Sequence, residues 1–517
     1  ESGTVLGRLQ PRGLVEAQLE SKLEGETEWS FHHNLLRDVT YESVLKRERA
    51  ELHRAAADWL KVQAGRAGRL DEFAGLLAEH FERAGQTQEA ADWYLRAAKR
   101  AVAQGALREA RRAYDRALDL LPPIEWERRW NALFGRQHNA RPMGDVELQR
   151  TDVAALVELA REHDDTGRLG AALQMRGTLR GESGDHAGGL QDLEQALILA
   201  RQTGDAVIET RALASKALAL AQESDPGTAI PLIEEALPRA RELGDQETII
   251  QVLVFGSIIF VSAGDLARAV ELQQEQVAFA RARHNSSSES LARLNLGASY
   301  IWLGQYKRAR GSLEESLRLA DFIGARAWRQ GNLANLGEVY FFSGDHRQAL
   351  AFLEDALREA RAMNLEFEQA VALEELGVVL ASLGDIPRAE QRYLEARAMA
   401  QAMNHLALAQ EGTAGLGHCA LEQGRLDQAR QFALETWEYL EQHGAKNMEH
   451  PMRPFGICAD IFDALGESEL SRAVVEAGYR ELMTRANKIS NPEWRASYLE
   501  NDPFNRELVA LWERMQS

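Results

Sequence analysis

Glycine recurs at positions 264, 304, 344, 384 and 424, a strict spacing of 40 residues over a large part of the chain. A period in this range marks stacked supersecondary units, none of which can bury its hydrophobic face alone, and it argues against a single closed core. The register runs back to Gly184 and Gly144 with a lapse at Ser224. A second set of turn residues falls midway, at Asp164, Gly204, Gly244, His284, Gly324, Asn364, Asn404 and Gly444. The spacing therefore predicts two helices and two turns per unit. Gly and Asn tolerate the left-handed backbone that ends a helix, and Asp caps the next helix through its side-chain oxygen. Gly264-Asp265, Gly344-Asp345 and Gly384-Asp385 thus each read as a stop followed by a start, while Asp164 and His284 belong to the few other types that reach positive φ.

Small residues repeat in register inside the helices. Gly177, Ala217, Ser257, Gly297, Gly337, Gly377 and Gly417 share one position of the first helix, and Ala229, Ala269, Ala309, Ala349, Ala389 and Ala429 share one of the second. Such residues let helix backbones approach closely. Larger ones between them, such as Leu296, Tyr300, Leu336, Tyr340, Leu353 and Leu376, follow the spacing of a helix buried on one face.

These positions carry a resemblance. Asn335-Leu336-Gly337, Tyr340, Gly344-Asp345, Ala349, Leu353 and Ala356 resemble a tetratricopeptide (TPR) repeat, and Asn295-Leu296-Gly297, Tyr300, Gly304, Tyr306 and Ala309 repeat the match. The usual TPR unit is about 34 residues, so these are extended repeats. The resemblance implies an all-α helical-hairpin solenoid coiled into a right-handed superhelix. Expected boundaries are a small winged-helix-like unit over 1–60, a helical linker with first repeats over 61–124, the extended array over 125–490, and a closing segment over 491–517.

The chain is acidic, with 60 basic against 79 acidic residues. The first 120 residues are nearly balanced, so the excess sits on the repeats, where it repels phosphate backbones and argues against nucleic-acid binding. The longest apolar stretch, Val252 to Ala263, is too short to span a bilayer and reads as a buried repeat helix. Cys419 and Cys458 read as buried free thiols, which together with the lack of a signal-like start gives the expectation of a cytoplasmic protein. A start at Glu1 rather than Met reads as a piece of a longer chain.

Residues Gly25 to Leu60 and Leu76 to Leu121 resemble the segment that follows the ATPase module in bacterial STAND-class signalling proteins, including those with an N-terminal adenylate or guanylate cyclase domain. Asn491 to Leu508 resembles their closing segment. In related NTPases a Met-His-Asp-Leu type motif places a histidine on the β-phosphate of ADP. Phe31 followed by His33-Asn34-Leu35 is similar, which implies a nucleotide-sensing role for His33 in a full-length protein, against the alternative that it only caps or packs a helix.

The sequence contains no G-x-x-x-x-G-K-[ST] loop, H-E-x-x-H, C-x-x-C or G-x-S-x-G, and its 13 histidines lack metal-ligand spacing. No catalysis, cofactor or metal is expected. The acidic pairs Glu234-Glu235, Glu314-Glu315 and Glu374-Glu375 read as solvated helix faces. The remaining candidate is the inner wall that first helices line in TPR arrays. The resemblance puts Val254, Ile258, Val261, Leu291, Leu294, Ile301, Trp302, Phe341, Phe342, Val371 and Val378 there, with Arg211, Gln222, Glu411, His418 and Glu422 at polar ends. The alternative is that these residues are interhelical core. The functional expectation is a regulatory sensor and scaffold that binds a protein, peptide or small ligand and relays its occupancy to an upstream NTPase. A structural oligomerisation arm is the other reading.

Overall fold

The computed structural model describes residues 2–18, 21, 26–223 and 226–516, and the chain divides into two compact units, Glu1–Asn139 and Ala140–Ser517. Regular structure among these residues consists of twenty-six α-helices, two short 3-10 turns and one pair of strands. No helix among them is long and apolar enough to cross a membrane.

The first unit opens with helix Ser2–Leu9 and a 3-10 turn, followed by strands Val15–Ala17 and Trp29–Phe31, paired antiparallel with Glu16 opposite Ser30. Helices Asn34–Ser43 and Lys46–Arg66 follow. Helices Ala74–Arg83, Thr87–Ala103 and Leu107–Leu120 then close a core around Leu77, Phe81, Trp93 and Tyr114. Gly85 and Gly105 take positive φ at their turns, so the helix-turn rhythm starts in this unit, earlier than the 40-residue glycine register alone suggests.

The second unit is a solenoid of helical hairpins. Its regular part includes the first helices Gln246–Ser262, Ser286–Trp302, Arg326–Phe342, Glu366–Ser382 and Leu406–Glu422, each followed by a second helix that ends near the next midway turn. Every turn position of both series from Gly144 to Gly444 has positive φ, including Asp164 at 50°, His284 at 53°, Asn364 at 54° and Asn404 at 56°; Ser224 lies outside the described residues. Asp265 and Asp345 cap as expected, accepting from the N–H groups of Arg268 and Gln348 at 3.1 Å. Asp385 does not. Pro387 occupies the first turn of its helix, and the carboxylate turns to the Arg388 guanidinium instead, at 3.3 Å.

The small residues of the repeat mark backbone approaches. A Cβ on Gly337 would lie 2.6 Å from Leu353 Cγ, and one on Gly297 2.5 Å from Leu313 Cγ, while Gly311 has open space. The shared alanines of the second helices, from Ala229 to Ala429, are all fully buried. Gly337→Ala is therefore expected to destabilise by about 1–3 kcal/mol through overpacking, whereas Gly311→Ala is expected to stabilise by up to about 1 kcal/mol through helix propensity. Chemical denaturation of the two variants checks the contrast.

After Gly444 the hairpin register ends. A loop runs to Met452, and helices Arg453–Ala464, Ser468–Lys488, Pro492–Glu500 and Pro503–Gln516 follow. These helices return to hairpin tips far back in the sequence. Lys488 Nζ donates to the Ala263 carbonyl at 2.7 Å, and Asn501 Nδ2 donates to the Gly304 carbonyl at 3.1 Å. The Phe504 ring lies 6.4 Å from Phe341 and 6.1 Å from Phe342. One apolar core joins the two parts, running from Leu296, Leu303 and Leu336 to Phe462, Leu482 and Leu508.

Candidate ligand cavity at the hairpin tips

Much of the loop after Gly444 is buried, and buried backbone needs hydrogen-bond partners. Ala445, Met448, His450 and Met452 are all within the core. Glu411, on the first helix Leu406–Glu422, supplies the acceptors: its two carboxylate oxygens accept from the backbone N–H groups of His450 at 2.8 Å and Glu449 at 3.1 Å. That duty explains a carboxylate with no exposure at all. Burial and the neighbouring Glu374 push its pKa up to about 8, against the pull of His450, Arg453 and the N–H groups.

Two further contacts fix the loop. His450 Nε2 sits 2.7 Å from Glu375 Oε1 and 3.9 Å from Glu338. Arg453 pairs with Glu374 and donates to the Glu411 carbonyl and the Tyr393 hydroxyl, each at 3.3 Å. Tyr393 can lie there because Gly377 and Gly415 leave space for its ring; a Cβ at either would approach it to 2.5 Å. A repeat glycine, a tyrosine, an arginine and a glutamate thus form one continuous support.

The electrostatics follow from burial and pairing. Burial alone would neutralise His450, but Glu375, Glu338 and Glu374 outweigh it and raise its pKa well above 6.5. Glu375 gains correspondingly: His450 overcomes burial and holds its carboxyl below the usual range. Burial raises the pKa of Glu338, Glu374, Glu449 and Asp502, in each case against some cationic pull. Six carboxyls thus surround two cations, so part of the set is held protonated near neutrality.

The expectation that Glu374-Glu375 is a solvated face is corrected here: the residues are 1% and 5% exposed. Glu234-Glu235 and Glu314-Glu315 lie on second helices, 80 residues apart, whereas Glu374 falls 60 residues after Glu314 and so on a first helix. That half-period offset was the available signal. His450 carried no such signal, because its role depends on partners 75 residues away.

Beside this cluster lies a cavity of about 800 Å³, bounded by the hairpin tips, the loop and the returning helices. Of the inner-wall residues named from sequence, Val261, Ile301, Trp302 and Phe342 line it. All four sit at the C-terminal end of their helix. Val254, Phe341 and Val378 are buried in the packing instead, and Ile258, Leu291, Leu294 and Val371 are partly buried without reaching it. Among the polar positions, Arg211 is buried and bridges to Asp245 and Thr248 at 2.8 Å. Residues that the sequence did not point to complete the wall, notably Glu338, His450, Tyr498, Asp502 and Phe504.

His33, in the first unit, occupies the cap position of helix Asn34–Ser43 with no side-chain capping bond, and it is exposed. Cys419 and Cys458 are free and buried, and burial raises both thiols. Among the described residues no group of three His, Cys, Asp or Glu has metal-site geometry.

Residues 288–362 and 329–402 match the tetratricopeptide repeat family. A stretch of 99 residues is 36% identical to an uncharacterized protein of Rhizobium meliloti (strain 1021), a match spanning 19% of this chain and 9% of that protein. Among solved structures, the chain is similar to a signal transduction ATPase with numerous domains and a tetratricopeptide repeat sensor from Pyrococcus horikoshii, at 17% identity over 78% of this chain and 59% of that one, with a TM-score of 0.44. It is also similar to a Rap protein complexed with competence and sporulation factor, at 14% identity over 67% of this chain and 98% of that one, with a TM-score of 0.44. The array is a TPR-like helical-repeat solenoid, an architecture typical of protein-interaction scaffolds.

Proposed function

We propose that this chain is a sensor and scaffold region, in which the cavity at the hairpin tips takes a peptide or small ligand and its occupancy shifts the returning C-terminal helices. The carrying observation is that one cavity of about 800 Å³ is walled by both Trp302 and Phe342 of the array and Tyr498 and Phe504 of the return. An occupant there touches both, and a ligand shifts an equilibrium by its differential affinity for the two states. A cavity of this size suits a drug-sized molecule or a short peptide. In the parent protein the signal would pass to an upstream NTPase, with His33 as a nucleotide-sensing residue. The resemblance over Gly25 to Leu60 motivates that part.

The test is a thermal-shift screen of a defined tetrapeptide and metabolite library. Binders are expected to raise the melting temperature, to slow amide exchange over residues 444–452, and to lose at least about tenfold in affinity in Phe342→Ala, as for an aromatic anchor. Binders indifferent to Phe342 that leave residues 444–452 unprotected would place the binding surface elsewhere. For His33, His33→Ala in a parent protein that carries the NTPase is expected to weaken ADP binding. Unchanged affinity would leave it a surface residue.

A further inference from the structure

We propose that the cavity selects a cationic amphipathic ligand, an amine carried on an aromatic or aliphatic body. This deepens the preceding reading, on which it rests. The cavity is divided chemically. Its apolar side is built by Val261, Leu266, Ile301, Trp302, Phe342 and Phe504, and its interior polar side by Glu338, Glu449 and Asp502 with His450.

The only cation on that interior side is already committed. His450 Nε2 lies 2.7 Å from Glu375 and 3.9 Å from Glu338. Asp502 Oδ1 accepts from the N–H groups of Phe504 and Asn505 at 2.9 and 3.0 Å. The other bases lining the cavity are engaged or exposed, His405 through its Nδ1 with the Leu408 N–H and His443 through its Nδ1 with the Tyr439 carbonyl. Arg485 holds Glu481 at 2.8 Å and the Ala445 carbonyl at 3.0 Å, Lys488 holds the Ala263 carbonyl, and Lys446 and Lys488 are exposed. Buried and partly buried carboxyls therefore outnumber their cations next to a space large enough for a ligand.

Behind the cavity wall, Glu375, which holds His450, and Tyr306, which stacks on Phe342, each keep a polar atom, Oε2 and Oη, without a hydrogen-bond partner. Buried polar atoms are seldom left unpaired. Burial that lifts Glu338 and Glu449 above the usual carboxyl range would be relieved by an added positive charge. Trp302 and Phe342 supply ring faces on which an ammonium is further favoured.

The experiment titrates the full chain with four probes by calorimetry at pH 7: tryptamine, tryptophyl-leucine amide with a free amino terminus, its N-acetyl form, and indole-3-propionate. Tryptamine or the free dipeptide amide is expected to bind at least about tenfold more tightly than the acetylated and anionic probes. Which of the two is tighter separates a small amine from a peptide terminus. Glu338→Gln with Glu449→Gln, which removes two ionisable groups whose charging burial opposes, is expected to abolish the preference while leaving the melting temperature unchanged or higher. Binding of indole-3-propionate or the acetylated probe as tightly as the amines, with dependence on Phe342, would overturn the cationic class and keep the cavity reading. No binding by any probe, or an amine preference that survives both glutamine substitutions, would overturn the inference.

Discussion

Arg453→Ala is expected to cost about 3–5 kcal/mol of folding free energy, the range for breaking a buried ion pair from one side. Arg453 is 4% exposed, and Glu374, its partner, is 1% exposed with its second oxygen already unpartnered. Truncation strands that carboxylate and frees the Tyr393 hydroxyl and the Glu411 carbonyl as well. Glu374→Gln in the same chain should restore part of the loss, because the uncompensated charge is then gone. The repeat array carries many exposed pairs for contrast, such as Arg358–Asp355 with side chains 68% and 43% exposed. Breaking one of those should change stability by no more than about 1 kcal/mol. Amide exchange over residues 444–464 locates the effect, since solenoids need not unfold in one step.

Stability of the same region is expected to fall as pH rises from about 5 to about 8. Glu411, Glu338, Glu374, Glu449, Asp502 and His450 all have raised pKa values in the folded chain. Folding therefore takes up protons there. A raised group contributes stability that is fully present below its unfolded pKa and lost as pH climbs through the folded one. For Glu411 that window runs from 4.5 to about 8. Each proton taken up gives a slope of about 1.4 kcal/mol per pH unit within its window. Glu375 runs the other way, since its pKa is lowered, and it opposes the trend only under acidic conditions below 4.5. Denaturation midpoints across this range measure the slope. Glu411→Gln should flatten it, and a midpoint that rises toward pH 8 in the wild-type chain would contradict this charge assignment.

The legible part of the fold was the part that local backbone chemistry decides. Turn positions at 264, 304 or 364 are visible because a left-handed φ demands Gly, Asn or a close substitute within a few residues of sequence. The helix approach at Gly337 was visible for a similar reason, since only a residue without Cβ fits against Leu353. The candidate site was legible in part. Val261, Ile301, Trp302 and Phe342 were named as inner-wall positions of first helices, and the cavity meets them at the C-terminal ends of those helices. The remaining wall depends on contacts between residues about 200 positions apart, such as Lys488 with Ala263 and Asn501 with Gly304, and no period encodes these. Pro451 and Pro454 fall where the register breaks, and nothing local to them encodes where the chain goes afterwards. Glu374 read as a solvated face and Glu411 as a polar end of the groove because their partners, Arg453 and the His450 backbone, lie beyond that break.

The cavity exists only through the return of the C-terminal helices to the hairpin tips. Gln305 Nε2 donates to Ser497 Oγ across that junction. A Gln305→Cys and Ser497→Cys pair tests it directly, and the two native thiols, free and buried with raised pKa values, should stay silent under mild oxidation. The double variant is expected to form an intramolecular disulfide, seen as faster migration on a non-reducing gel, with neither single variant shifting. A double variant that stays reduced while its exposed thiols react with a maleimide would show that the return is absent and that the cavity does not exist.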